Sequence, residues 1–147
     1  MITFLAPDEK ILFTAQTALA QSHADIRIEQ GLLSAGVEKA RELINEGTEI
    51  IISRGGTAKA IKENFPDIIV VELPITGFDI LRTVHQARRL GHRVGVVAFA
   101  SMILGIDCLP PILDVELRQY LIENEFEAEA KVLQAFRDGA EGILGAV

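Results

Sequence analysis

The chain has one cysteine, Cys108, and no tryptophan among its 147 residues. A lone thiol cannot close an internal disulfide, and it leaves no pair of thiols for cysteine-pair racemase chemistry. Without tryptophan, and with one tyrosine and seven phenylalanines, there is no aromatic platform on which single-stranded nucleic acid could stack. Basic residues are outnumbered 14 to 21, giving a formal charge of −7. That charge opposes a phosphate backbone, so no direct nucleic-acid contact is expected. Long hydrophobic runs are missing too: Ile68 to Val71 and Val94 to Ala100 fall far short of the roughly 20 residues that cross a bilayer. No basic and then apolar leader precedes the first strand-like run, so the expectation is a cytoplasmic protein with no membrane contact.

What is present is aliphatic. Hydrophobic residues make up 49% of the chain, enough for one compact domain or two small lobes. Short β-rich apolar runs alternate with segments of helical period, the pattern of a parallel sheet covered by crossover helices. The spacing predicts a strand at Ile2 to Ala6, then a helix from about Asp8 to Gln21, with Asp8 as N-cap and Ile11, Leu12, Ala15 and Leu19 on one face. A second strand covers Ile26 to Glu29, and Ser34 opens a helix through Glu46 that closes at Gly47. A strand at Glu49 to Ser53, a helix at Thr57 to Asn64 that stops before Pro66, and a strand at Ile68 to Glu72 follow.

The order then repeats. A helix at Gly77 to Leu90 carries Ile80, Leu81, Val84, Ala87 and Leu90 as an apolar stripe. After it come a strand at Val94 to Ala98, a helical region at Ser101 to Leu113, a strand at Leu117 to Ile122, a helix at Phe126 to Arg137 and a strand at Gly142 to Ala146. "NEGTEIIIS", Asn45 to Ser53, lies over "RDGAEGILG", Arg137 to Gly145, with Gly47 and Gly139 as equivalent caps. The fold class expected is α/β, two parallel-sheet halves of flavodoxin-like or periplasmic-binding-protein-like type. Residues 1–76 form a first lobe, 77–91 a connecting helix and hinge, and 92–147 a second lobe. The second lobe has no counterpart of the helix and strand that follow Ser53, and is expected to be truncated.

Open parallel sheets bind ligands outside the carboxyl ends of their strands, where helix N-termini present free N–H groups. "SRGGT", Ser53 to Thr57, is such an end. Gly55 and Gly56 permit close backbone approach, Thr57 can cap the following helix, and Arg54 carries a fork suited to a carboxylate or phosphate. The plainer alternative is a tight turn with a solvated arginine. A second junction, "ELPITGFDILRTV", offers Thr76 as N-cap beside Gly77, and Phe78 and Asp79 could wall or line the same pocket. Here too a plain alternative stands: Asp79 favours the helix dipole and Phe78 is core.

The remaining clusters point away from chemistry. "RTVHQARRLGHR", Arg82 to Arg93, gathers cations toward a helix C-terminus and reads as a solvated face. His85 and His92 are seven apart across a glycine and His23 is remote, so no metal is expected. Glu123, Glu125, Glu127 and Glu129 suit a helix start. No nucleophile elbow, GxxxxGK or GxGxxG occurs, and Ser53 stands where a phosphoacceptor receiver needs an aspartate.

Three stretches carry a resemblance. "IISRGGTAKAI", "VVELPITGFDILRTV" and "RVGVVAFASMI" resemble the N-terminal sensor domain of the propionate catabolism activators, which are sigma-54-dependent transcription regulators. The resemblance covers essentially the whole chain. It implies a two-lobed sensor with a small carboxylate-type effector between lobes, no cofactor, homo-oligomerisation, and AAA+ and helix-turn-helix modules in the full-length protein. It implies effector contacts from Ser53, Arg54, Gly55, Gly56, Thr57, Thr76, Gly77, Phe78 and Asp79. Two departures are noted: Pro110 and Pro111 are expected to interrupt a region the family makes helical, and the end at Val147 omits the family's closing helix and strand. The competing expectation is a small α/β enzyme, a lyase or isomerase acting on a carboxylate metabolite.

Overall fold

The computed structural model describes residues 1–99 and 106–146. Two compact units divide the chain, Met1–Pro74 and Ile75–Val147. The first holds β1 (Ile2–Ala6), α1 (Glu9–Ala20), β2 (Ile26–Gln30), α2 (Leu33–Asn45), β3 (Ile50–Arg54), α3 (Gly55–Asn64) and β4 (Ile69–Leu73). Its sheet is parallel, in the order β2-β1-β3-β4. Strand alternation sends Leu5 and Ile51 to one face, where they pack with Val37, Ala40 and Leu43 of α2 and Ile61 of α3. α1 buries no residue fully. Its partly buried positions are Ile11, Leu12, Ala15 and Leu19, the stripe the sequence spacing gives, and Asp8 caps it by accepting from the Ile11 N–H at 2.8 Å.

The second unit holds α4 (Gly77–Ala87), β5 (Arg93–Phe99), α5 (Pro110–Leu113), β6 (Glu116–Ile122), α6 (Ala128–Arg137) and β7 (Gly142–Ala146). Its parallel sheet runs β6-β5-β7. Ile80, Val84 and Ala87 of α4 join Val94, Val96, Ala98 and Leu144 in one core, so α4 is held in the second unit by apolar packing. On the opposite face α6 sits close to β5: a Cβ at Gly95 would stand 3.0 Å from that of Ala135.

The internal repeat is physical. β1 pairs with β2 and β3 as β5 pairs with β6 and β7. Gly47 and Gly139 close α2 and α6 with φ of 98° and 93°, the left-handed conformation that favours glycine. One residue further on, Thr48 N–H donates to Leu43 O and Ala140 N–H to Ala135 O, each at 2.9 Å. Glu49 N–H then donates to Met1 O and Glu141 N–H to Arg93 O, starting the β1–β3 and β5–β7 ladders in the same register.

Three expectations change. The region expected helical from Ser101 to Leu113 lies outside the described residues up to Gly105; beyond it stand a 3-10 turn, Ile106–Cys108, and α5. Pro110 and Pro111 do not break α5. They occupy its first turn, where a missing N–H leaves nothing unpaired and the fixed φ suits the helix. α3 begins two residues before Thr57, at Gly55, which makes the turn from β3 with a left-handed φ of 61° that favours glycine. Among the described residues no helix is long and apolar enough to cross a membrane.

The β5–β7 corner sets a pH dependence. Glu141 Oε2 accepts from the Arg93 N–H at 3.0 Å, and the two side chains approach to 3.5 Å. Hydrogen bonding from the Arg93 backbone, reinforced by its positive charge, holds the Glu141 carboxyl below its ordinary 4.5. A depressed folded-state value contributes stability above the unfolded pKa, and that contribution is lost as pH falls through the folded one. Urea unfolding from neutral pH downward should therefore show Glu141→Gln converging with the native chain in acid; parallel curves would show that the corner contributes nothing.

Candidate functional site

The carboxyl end of the first sheet is shaped by where consecutive strands part. β1 is followed outward by β2 and β3 is followed by β4 on the other side, so the order reverses between β1 and β3. Crevices form at such a reversal. The β3–α3 junction stands there, with Arg54 as the last residue of β3 and the N-cap position of α3. No side chain caps α3 among the described residues, so its first-turn N–H groups are not satisfied that way.

The two hydroxyls of the motif are built into the frame. Ser53 is fully buried and its Oγ donates to Leu5 O at 3.0 Å, tying β3 to β1. Thr57 is fully buried as well. It does not cap its own helix: its Oγ1 accepts from the Leu33 N–H at 2.9 Å and so serves the start of α2. Leu33 carries φ of 49°, a left-handed conformation rare for a bulky residue. The same corner is packed to backbone contact, since a Cβ at Gly36 would lie 2.6 Å from Thr57 Cγ2 and one at Gly31 2.8 Å from Gly36 Cα. Gly55 and Gly56 are buried in the first turn of α3. Of the five residues of the motif, Arg54 is the one that is partly exposed.

The second junction lies in the second unit. Thr76 and Asp79 form a capping box: Asp79 N–H donates to Thr76 Oγ1 at 3.3 Å, and Thr76 N–H donates to Asp79 Oδ2 at 2.9 Å. Thr76 Oγ1 also donates to Asp79 Oδ2 at 2.8 Å. Sequence spacing identifies Thr76 correctly as the cap, and Asp79 is its partner. Phe78 is not core; it is 76% exposed and lines a shallow groove of about 350 Å3 with Leu81, Arg82, His85 and Leu113. Gly77 has open space where a Cβ would project. Arg82, His85, Arg88 and Arg89 are exposed, as expected of a solvated basic face. Among the described residues no His, Cys, Asp and Glu cluster could hold a metal ion.

Sequence spacing misses the Thr57–Leu33 bond. A threonine after two glycines looks like a local cap, and its partner is 24 residues away. Gly55→Ala should cost about 1–2 kcal/mol through the left-handed φ. Thr57→Val should cost about 1–3 kcal/mol by stranding the buried Leu33 N–H. Chemical denaturation measures both, and losses below about 0.5 kcal/mol in either would refute the corresponding account.

The comparisons agree on the fold and name a family. The crystal structure of an NtrC family transcriptional regulator from Clostridium acetobutylicum superposes with a TM-score of 0.79 at 20% identity, covering 99% of this chain and 86% of that one. At that identity the likeness is one of fold. The family described as propionate catabolism activator matches residues 20–147, which include both strand-to-helix junctions and all seven strands but β1. The chain belongs to the propionate catabolism activator family.

Proposed function

We propose that this chain is the effector-sensing part of a sigma-54-dependent transcriptional activator, and that it binds a small anionic metabolite of carboxylate type. Membership of the family supports a regulatory sensor role. The observation that carries the ligand class is the β3–α3 junction, where a partly exposed Arg54 adjoins a helix start with no side-chain cap, at the reversal of strand order. A guanidinium fork and helix N–H groups together suit a carboxylate. Buried Ser53 and Thr57 hold this junction in shape, and the strained φ of Leu33 is stored at the same corner; strain of this kind clusters at ligand-binding and switching sites.

Thr76, Gly77, Phe78 and Asp79 stand as a candidate contact set of their own at the start of α4. We propose that the 77–91 segment passes binding on to AAA+ and helix-turn-helix modules of the full-length protein, which is cytoplasmic in this reading. An enzyme acting on a carboxylate is the alternative, and turnover assays with the metabolites that bind would distinguish it.

Calorimetry with a panel of small mono-, di- and tricarboxylates tests the ligand class. At least one should bind, and Arg54→Gln should weaken it by about tenfold to a hundredfold, the equivalent of one lost charge-assisted contact. Unchanged affinity would remove Arg54 from the site. Gly77→Ala should leave thermal unfolding intact, since the added methyl meets no neighbour within 4 Å. A loss of affinity in that variant would assign the α4 junction to the ligand, and unchanged affinity would remove Gly77 from it.

A further inference from the structure

Both faces of the first sheet are aliphatic, and its helices leave half of one bare. Leu5 and Ile51 lie under α2 and α3 in the core of the unit. The opposite face carries Ile50 and Ile52 of β3 beside Ile69 and Val71 of β4, with Leu73 beyond them. α1 packs against β1 and β2 only. Ile50 and Ile52 are therefore partly exposed, and Ile69, Val71 and Leu73 are 60%, 45% and 39% exposed. A contiguous apolar surface of this kind marks an interaction site.

The internal repeat shows what occupies such a face. With Gly47 and Gly139 as equivalent caps, Ile2, Phe4 and Ile52 correspond to Val94, Val96 and Leu144. Those three residues are buried in one core with Ile80, Val84 and Ala87 of α4. α4 follows β4, the last strand of the first unit, and packs in the second. Among the described residues the first unit receives no such helix, and α1 shows the effect: it buries no residue fully and holds Phe13 70% exposed. After β5, by contrast, Ile106 shares the core of α4, with Leu109 and Leu113 packed against it.

We infer that the β3–β4 half of this face is the docking surface for an amphipathic helix of the same protein, the one that follows the last strand of the second unit. The exchange that α4 makes in one direction is then returned in the other. The repeat also states the chemistry of the occupant: a stripe of small and aliphatic residues at helical spacing, as in Ile80, Val84 and Ala87. The inference takes from the proposed sensor reading only that the protein continues into further modules, and carboxylate binding plays no part in it. It bears on that reading all the same. Arg54 is the next residue of this face after Ile52 and pairs in register with Leu73, so the stretch leaving the second unit toward the output modules would rest on the sheet face that ends at Arg54.

Cysteine labelling with a maleimide, read by mass spectrometry on the labelled peptide, tests it in the full-length protein and in the 147-residue chain, both carrying Cys108→Ser. Val71→Cys should react about tenfold more slowly, or slower still, in the full-length protein, since a docked helix exposes the position only on local opening. Glu38→Cys, on the exposed side of α2, should react equally in both. Ile69→Cys repeats the measurement on the same face should Val71→Cys fail to fold. Protection should persist through roughly a hundredfold dilution, because a contact within one chain does not follow mass action. Equal rates in the two proteins, protection already present in the 147-residue chain, or protection lost on dilution, which would assign the face to a second copy, would each overturn the proposal.

Discussion

The hydrogen bond from the Leu33 amide to the buried hydroxyl of Thr57 fixes the geometry on which the candidate site depends. A helix start buried away from water needs partners for its first N–H groups. Residue 32, the N-cap position of α2, is a leucine that can supply none. The partner therefore comes from the next helix. Thr57 serves α2, while α3 has Gly55 and Gly56 in its first turn and no side-chain cap from its own N-cap residue, Arg54. Of these two helix starts, the hydroxyl caps that of α2, and the other is the one beside Arg54.

That arrangement restricts the surrounding residues. Thr57 reaches Leu33 only if α2 and α3 approach closely, which accounts for Gly36 and Gly31: a side chain at either would overlap Thr57 or the backbone of the loop. Ser53, one strand-face away from Arg54, is bound to Leu5 and holds β3 against β1 where strand order reverses. For the site proposed at this junction, the consequence is rigidity at its base, as suits a ligand that must meet a preorganised set of donors.

How much of this was legible in the sequence varies with the range of the interaction. The strands, the Asp8 cap, the Thr76 cap and the paired glycines at 47 and 139 are local features, and spacing reveals each of them. Family-level motifs at Ser53 to Thr57 and Thr76 to Asp79 were equally visible. Hidden were the features decided by distant partners: that Thr57 bonds Leu33 rather than its own helix, and that Leu33 adopts a positive φ. Pro110 and Pro111 do stand at a break, directly after Leu109, which separates the 3-10 turn from α5; that they also open α5 was hidden, since proline is a breaker inside a helix and a starter in its first turn, and spacing alone does not say where the turn begins. The plain alternative that made Phe78 core fails, because the stripe of α4 that faces the sheet runs through Ile80, Val84 and Ala87 and leaves Phe78 exposed.

The two units show how one topology is retuned. Each opens its first-to-third strand ladder with a glutamate that returns to the residue before the first strand's paired segment. In unit one Glu49 meets the amino group of Met1 at 3.0 Å, and in unit two Glu141 meets the amide of Arg93 at 3.0 Å. The framework contact is kept while its partner changes from a terminal ammonium to a backbone N–H backed by a guanidinium. Surfaces diverge further than frameworks because an exposed position carries no packing constraint from the sheet. α2 has an ion pair where α6 has an alanine and a leucine, yet both helices place small or aliphatic residues against the strands. The two units keep the register that builds a parallel sheet and differ in their outer helix faces and strand-to-helix junctions, the parts that the pairing of strands does not constrain.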